Sequence, residues 1–263
     1  MKGKTLERLN SNIAKIPTAV LLASIVAIAS SQSARALSFF TERSAFNSND
    51  RVDWSSLGPV LTPPPDPSDF LPFSFSATSQ KGLNLDVDIP FPPLTSGITP
   101  PFVFQTLPSP TGIPTNFAPG DFILFTGLQP GIFPAPGNPG PLTITFEQPV
   151  FGAGTQIAVD DTPLFTGFIS AFDKDDNLLG EFSAEGTSSL ALDNSALFLG
   201  VRNDIPNISK IVLRSSAPNR AVGINQLSIE RADVGEPNIS PLGWVFAAVG
   251  AGMVLQGRRG VFR

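Results

Sequence analysis

Between Pro59 and Pro141, 20 of 83 positions are proline, and that density limits what this part of the chain can become. Each ring deletes a backbone donor and biases its predecessor toward extended geometry, so helices are excluded. Short strands still fit between the rings. Leu83, Leu85, Val87 and Ile89 alternate with Asn84, Asp86 and Asp88, the period-two pattern of a strand with one dry face and one wet face. Nine phenylalanines between Phe70 and Phe125 are too many for a solvated linker. Long irregular loops folded against a sheet are expected.

From Leu142 onward the strand signal is regular. Leu142, Ile144 and Phe146 alternate, Gly152-Ala153-Gly154 reads as a turn, and Ile157 and Val159 alternate again. Runs over Phe165 to Phe172, Leu178 to Ala184, Ala196 to Val201, Ile208 to Leu213 and Val222 to Ile229 follow at short intervals. No helical amphipathic stretch separates them. With helices unavailable to cover a single sheet, the expected fold is all-β: a jelly-roll-like antiparallel β-sandwich with long Pro-rich loops. One domain over 37–232 suffices, with loops and short strands in 59–141 and regular strands in 142–231.

The chain's chemistry is narrow. Among 263 residues there is no Cys and no His, which removes disulfides, thiolate nucleophiles, imidazole bases and nearly every usual zinc site. Seventeen basic residues against 22 acidic ones give a net charge of −5, and phosphate binding needs clustered Lys and Arg that are missing, so no nucleic-acid partner is expected. At 41 % hydrophobic and 15 % charged, the chain can bury a real core.

Both ends read as addresses. Lys2, Lys4, Arg8 and Lys15 precede an apolar run, Ile16 to Ala29, and then Ala34-Arg35-Ala36. These are the three parts of a secretory signal peptide over 1–36, with small residues at Ala34 and Ala36 where signal peptidase must fit them. The 14-residue apolar run spans only about 21 Å as a helix, too little for an anchor. Cleavage leaves Leu37 first and a net charge of −9. The absence of Cys in an exported chain suits a bacterial origin. At the other end, 233–241 is polar, 242–255 is apolar with interspersed Gly and Ala, and Arg258, Arg259 and Arg263 follow. Arginines kept inside would leave the body outside, with 242–255 as a transmembrane helix.

That layout resembles the PEP-CTERM sorting signals of bacterial surface and secreted proteins, which end in a Pro-Glu-Pro tripeptide, a short transmembrane segment and an Arg-rich tail. Glu236 and Pro237 match the tripeptide, while Gly235 stands where the family has its first Pro. The resemblance implies an exosortase as processing partner. Thr145-Phe146 through Val150-Phe151-Gly152, Ala171-Phe172-Asp173 through Asn177-Leu178-Leu179-Gly180, Phe198-Leu199-Gly200-Val201 and Gly223-Ile224-Asn225-Gln226-Leu227 are similar to the β-sandwich bodies of cyanobacterial PEP-CTERM proteins. Members often carry an Asp-Asn-Leu strand where this chain has Asn225-Gln226-Leu227.

Three local constellations bear on chemistry. Asp173, Asp175 and Asn177 place oxygens at alternate positions, as a calcium loop does, but Leu178 replaces the Gly of the sharp turn and Ala184 the closing Glu. A hairpin turn and a calcium site completed from another loop both remain open. Asp160-Asp161 is a carboxylate pair of the kind glycoside hydrolysis uses, yet strand neighbours point to opposite faces, and strand-end solvation is the plainer reading. Sugar platforms favour exposed Trp and Tyr; the chain has no Tyr and two Trp, of which Trp244 belongs to the tail and Trp54 reads as core.

The sequence thus points to an exported, non-enzymatic β-sandwich sorted to the cell surface or extracellular matrix. No cofactor is expected beyond possible calcium at Asp173, Asp175 and Asn177. The alternatives are a calcium- or exopolysaccharide-binding module and, behind it, a glycoside hydrolase.

Overall fold

The computed structural model describes residues 37–58, 66–92, 97–107 and 113–232. Both terminal addresses, and with them Ala34, Ala36, Glu236, Pro237, Trp244, Arg258 and Arg259, lie outside the described residues. Among those described, no helix is long and apolar enough to cross a membrane.

The body is all-β. Its strands are β1 (Ser38–Phe40), β2 (Asp50–Val52), β3 (Ser74–Thr78), β4 (Asn84–Asp88), β5 (Phe102–Gln105), β6 (Phe122–Phe125), β7 (Leu142–Val150), β8 (Gly152–Val159), β9 (Leu164–Phe172), β10 (Leu178–Thr187), β11 (Leu197–Arg202), β12 (Ile208–Ser215), β13 (Val222–Ile224) and β14 (Leu227–Glu230). Helical structure among the described residues amounts to 3-10 turns at Arg43–Ala45, Trp54–Leu57 and Pro67–Asp69. The prolines act as expected: β3 to β6 are only four or five residues long and sit between them.

Two antiparallel sheets result. One has six strands in the order β10-β9-β12-β7-β4-β3; the other has eight, in the order β1-β11-β8-β13-β6-β5, with β14 bridging β8 and β2. The chain changes sheets at Phe151, between β7 and β8. Its amide donates to the Glu230 carbonyl (2.8 Å) and its carbonyl accepts from the Asn203 amide (2.7 Å). Ile144, Ile169 and Ile211 from the first sheet and Ile157, Leu199 and Ile229 from the second are fully buried in one continuous core. Each such side chain contributes about 2 kcal/mol through burial.

Two expectations need correction. Gly152-Ala153-Gly154 is not a turn but the start of β8, buried throughout. Its glycines serve close packing: a Cβ on Gly154 would sit 2.7 Å from both the Gly200 Cα and the Phe198 ring. Val222 to Ile229 is not one strand but β13 and β14, which pair successively with β8 and part at Asn225-Gln226. The side chain of Asn225 enters the hydrogen-bonding space that continuous pairing would occupy, donating and accepting across to Gln156 of β8.

Candidate functional site

Alternation along β8 sends Ala153, Ile157 and Val159 into the core between the sheets, which leaves Gly152, Gly154, Gln156, Ala158 and Asp160 on the opposite face. That outer face is covered by three successive kinds of packing. Over Gly152, Gly154 and Gly200 lie the rings of Phe46 and Phe198, approaching as closely as only glycine permits. The Arg43 guanidinium stands 5.4 Å from the Phe198 ring centroid.

Next along the sheet is a polar hub at Asn225. Its Oδ1 accepts from Arg43 Nη2 (2.6 Å) and from the Gln156 amide (3.1 Å); its Nδ2 donates to Gln156 Oε1 (2.6 Å) and Asp121 Oδ2 (2.8 Å). The Asn225 carbonyl accepts from Trp54 Nε1 (2.6 Å) and Thr155 Oγ1 (3.0 Å). Trp54 is fully buried, as expected, though it sits in a 3-10 turn. The hub was not legible from one sequence; the two-residue interruption between apolar runs was its trace. Beside it, Arg43, Gln156, Glu185, Asn194 and Ser195 help to line a groove of mixed polarity, about 650 Å³. Burial holds the Arg43 guanidinium below its ordinary range, partly offset by the charge of Asp121.

The third region is apolar. Phe102 and Phe104 of β5, Ile123 and Phe125 of β6, and Ala158 of β8 form a second cluster with Phe117, Ala196 and Ala221, separate from the main core. Phe102, Phe104 and Phe125 meet pairwise at 5.4 to 6.3 Å between centroids. Between these rings and the segments that cover them is a cavity of about 540 Å³, within the range that holds small molecules. Phe133 and Leu190 line it while remaining 87 % and 72 % exposed.

Asp160 and Asp161 also line this cavity, and their roles differ. Asp161 has a left-handed backbone (φ 47°) and its Oδ2 accepts from the Ala135 amide (3.0 Å). Arg220 Nη1 donates to the Ala135 carbonyl (2.7 Å). Ala135 is therefore held on both sides, which fixes the segment carrying Phe133. Asp160 is half-buried; the Thr162 hydroxyl donates to its backbone carbonyl (2.8 Å), and no side chain among the described residues donates to its carboxylate. Desolvation pushes its carboxyl up to about 6, with repulsion from Asp161 adding and the charge of Arg220 and the Asp161 amide subtracting. Strand-end solvation, the expectation for this pair, holds for the exposed Asp161 and only in part for Asp160, which is half-buried. Asn116, fully buried in the same lining, donates through Nδ2 to the Thr187 carbonyl (2.8 Å), while its Oδ1 meets no donor among the described residues.

Asp173, Asp175 and Asn177 lie together in the exposed turn between β9 and β10. Asp173 Oδ1 accepts from the amides of Asp175 and Asn177 (2.9 Å each), and its Oδ2 accepts from Asn177 Nδ2 (3.0 Å). These bonds hold the Asp173 carboxyl below its ordinary range. Asp175 pairs with Lys174 (2.8 Å), and Asp176, at φ 61°, pairs with Lys210. The geometry is that of a self-satisfied Asx turn, and among the described residues no group of three or more Asp, Glu, His or Cys is gathered to hold a metal ion.

No family model matches the chain, and no curated protein matches it. Among solved structures it is similar to a DUF4465 family protein from Bacteroides caccae, at 12 % identity over 74 % of this chain and 100 % of that one, with a TM-score of 0.32. It is also similar to the enzymatically active domain of tailspike protein 4 of bacteriophage CBA120, at 12 % identity over 55 % of this chain and 19 % of that one, with a TM-score of 0.28.

Proposed function

We propose that this chain is an exported, non-enzymatic surface protein. The N-terminal segment delivers it across a membrane, signal peptidase cuts after Ala36, and the PEP-CTERM-like tail offers Glu236-Pro237, with Arg258 and Arg259 behind the apolar segment, to an exosortase-type enzyme. The β-sandwich is then left at the cell surface or in the extracellular matrix.

The observation that carries this reading is the tripartite tail: polar 233–241, apolar 242–255 and three arginines. The way the described body ends supports it. Arg231 exchanges backbone and side-chain bonds with Asn49 and ion-pairs with Asp50 (3.3 Å), closing the sandwich just before the spacer starts. We read the central strands, β2-β14-β8-β11 facing β7-β12-β9-β10, as a jelly roll, with β1, β3, β4, β5, β6 and β13 added around it. A binding and matrix role fits a chain with neither His nor Cys, in which Asp161, the nearest carboxylate partner for Asp160, is engaged with a backbone amide.

Residues 230–263 fused to a secreted reporter, in a host with an exosortase, test the reading. Processing should release the reporter, and Arg258→Ala plus Arg259→Ala should abolish release. Equal release without the arginines would refute the sorting role.

A further inference from the structure

The apolar cavity on the outer face of the eight-stranded sheet combines features that packing alone does not require. Its walls are phenylalanine rings, Phe133 and Leu190 stay exposed at its lining, and a half-buried carboxylate, Asp160, stands among them. That carboxylate takes a backbone hydrogen bond from the Asp161 amide and none from a side chain among the described residues. A half-buried charge in apolar surroundings with so little compensation costs stability, so its persistence in this cavity calls for a ligand that donates. Two charged groups act on Asp160. Asp161 repels it, and Arg220 attracts it from a guanidinium committed to the Ala135 carbonyl, without hydrogen-bonding to it. The local balance of one cation against two carboxylates is negative, and it disfavours an anionic ligand such as a fatty acid.

We propose that this cavity binds an organic cation, an apolar body lying on Phe102, Phe104, Phe117 and Phe125 and carrying a protonated amine toward Asp160. Burial of rings against rings supplies the affinity. The ammonium supplies selectivity by neutralising a desolvated carboxylate, and aromatic faces around a cation add to that attraction. The ligand class follows from the cavity and stands whether or not the chain is exported.

Titration calorimetry of the full chain with three probes of one shape tests this: naphthylmethylammonium, naphthylmethanol and naphthylacetate. At about pH 7.5 the ammonium should bind at least about tenfold tighter than the alcohol, and the acetate weakest of all. Asp160→Asn should cancel the advantage of the ammonium and leave the alcohol unchanged. Because this variant removes a desolvated charge, its fold is not put at risk, and a melting curve checks that. Leu190→Asn, at an exposed position, should weaken ammonium and alcohol by the same factor. For the parent chain, ammonium affinity should fall as the pH drops through about 6, while alcohol affinity stays level. Equal affinities for ammonium and alcohol, an ammonium affinity indifferent to Asp160→Asn, or no binding of any probe at millimolar concentration would each overturn the assignment.

Discussion

The two sheets share one interior, yet their outer faces are built on different terms. On the six-stranded sheet Asp86, Asp88, Thr143, Thr145, Lys210 and Arg214 face water. Arg214 bridges to Glu181 on the next strand but one (2.7 Å) and lies 4.6 Å over Phe168, while Lys210 lies 4.6 Å over Phe172. On the eight-stranded sheet the outer face is covered by rings on glycines, by the Asn225 hub and by the aromatic cavity. Solvent satisfies polar groups on the first face; on the second each must find a partner inside the protein. A carboxylate is ordinary at the edge of one sheet and becomes a binding element on the other.

The largest effect should come from breaking the hub. Asn225→Leu leaves Arg43, Asp121, Gln156 and the surrounding amides short of partners in a buried setting. A loss of about 4 kcal/mol is expected, read as a lower urea midpoint at an unchanged slope. A loss below about 1 kcal/mol would mean that water already reaches the hub, and the contrast between the faces would weaken.

Asp160 sharpens the comparison through pH. Its carboxyl is raised to about 6 in the folded chain, against about 4 unfolded. Between these values the folded state keeps a proton that the unfolded state has released, so stability falls as pH rises through the window. Above about 6 the ionised group costs about 1.5 kcal/mol, the full shift being halved for its remaining solvent contact. Asp160→Asn should therefore stabilise the chain by about that amount at neutral pH, with the gain fading to nothing below about pH 4. Parallel stability curves for the two proteins across this range would remove the desolvated charge from the account.

What the sequence disclosed follows the same division. Alternation reads a wet face well, because each polar residue there answers only to water. β4 with its exposed Asp86 and Asp88, and β7, β9, β10 and β12 of the same sheet, were legible on that basis. On the covered face the local pattern misleads. Gly152-Ala153-Gly154 looks like a turn because the rings that require those glycines come from Phe46 and Phe198, distant in sequence. Asp160 looks solvated because the other walls of the cavity it lines come from Ile113 to Phe117, Phe133 to Pro134 and Ser188 to Leu190, none predictable from its neighbours. Asn225 looks like one more strand residue until Trp54, Asp121 and Arg43 converge on it.

The smallest effect should come from the acidic turn on the wet sheet, where oxygens at positions 173, 175 and 177 suggested a cation. Asp173 already accepts from two amides and from Asn177 Nδ2, and Asp175 from Lys174, so a calcium ion would have to replace bonds that are made rather than fill a need. The lowered carboxyl of Asp173 contributes stability above the ordinary carboxylate range, and that contribution is lost as pH falls through its folded value. Asp173→Ala plus Asp175→Ala should therefore lower the melting temperature slightly at neutral pH, with the difference closing in acid. Millimolar calcium should move neither protein's melting temperature by more than about 1 °C, since a ligand stabilises only when it binds the folded state. A rise of several degrees in the parent chain, absent from the double variant, would show that this turn exchanges its internal bonds for a cation, and that a carboxylate on the wet face can also act as a binding element.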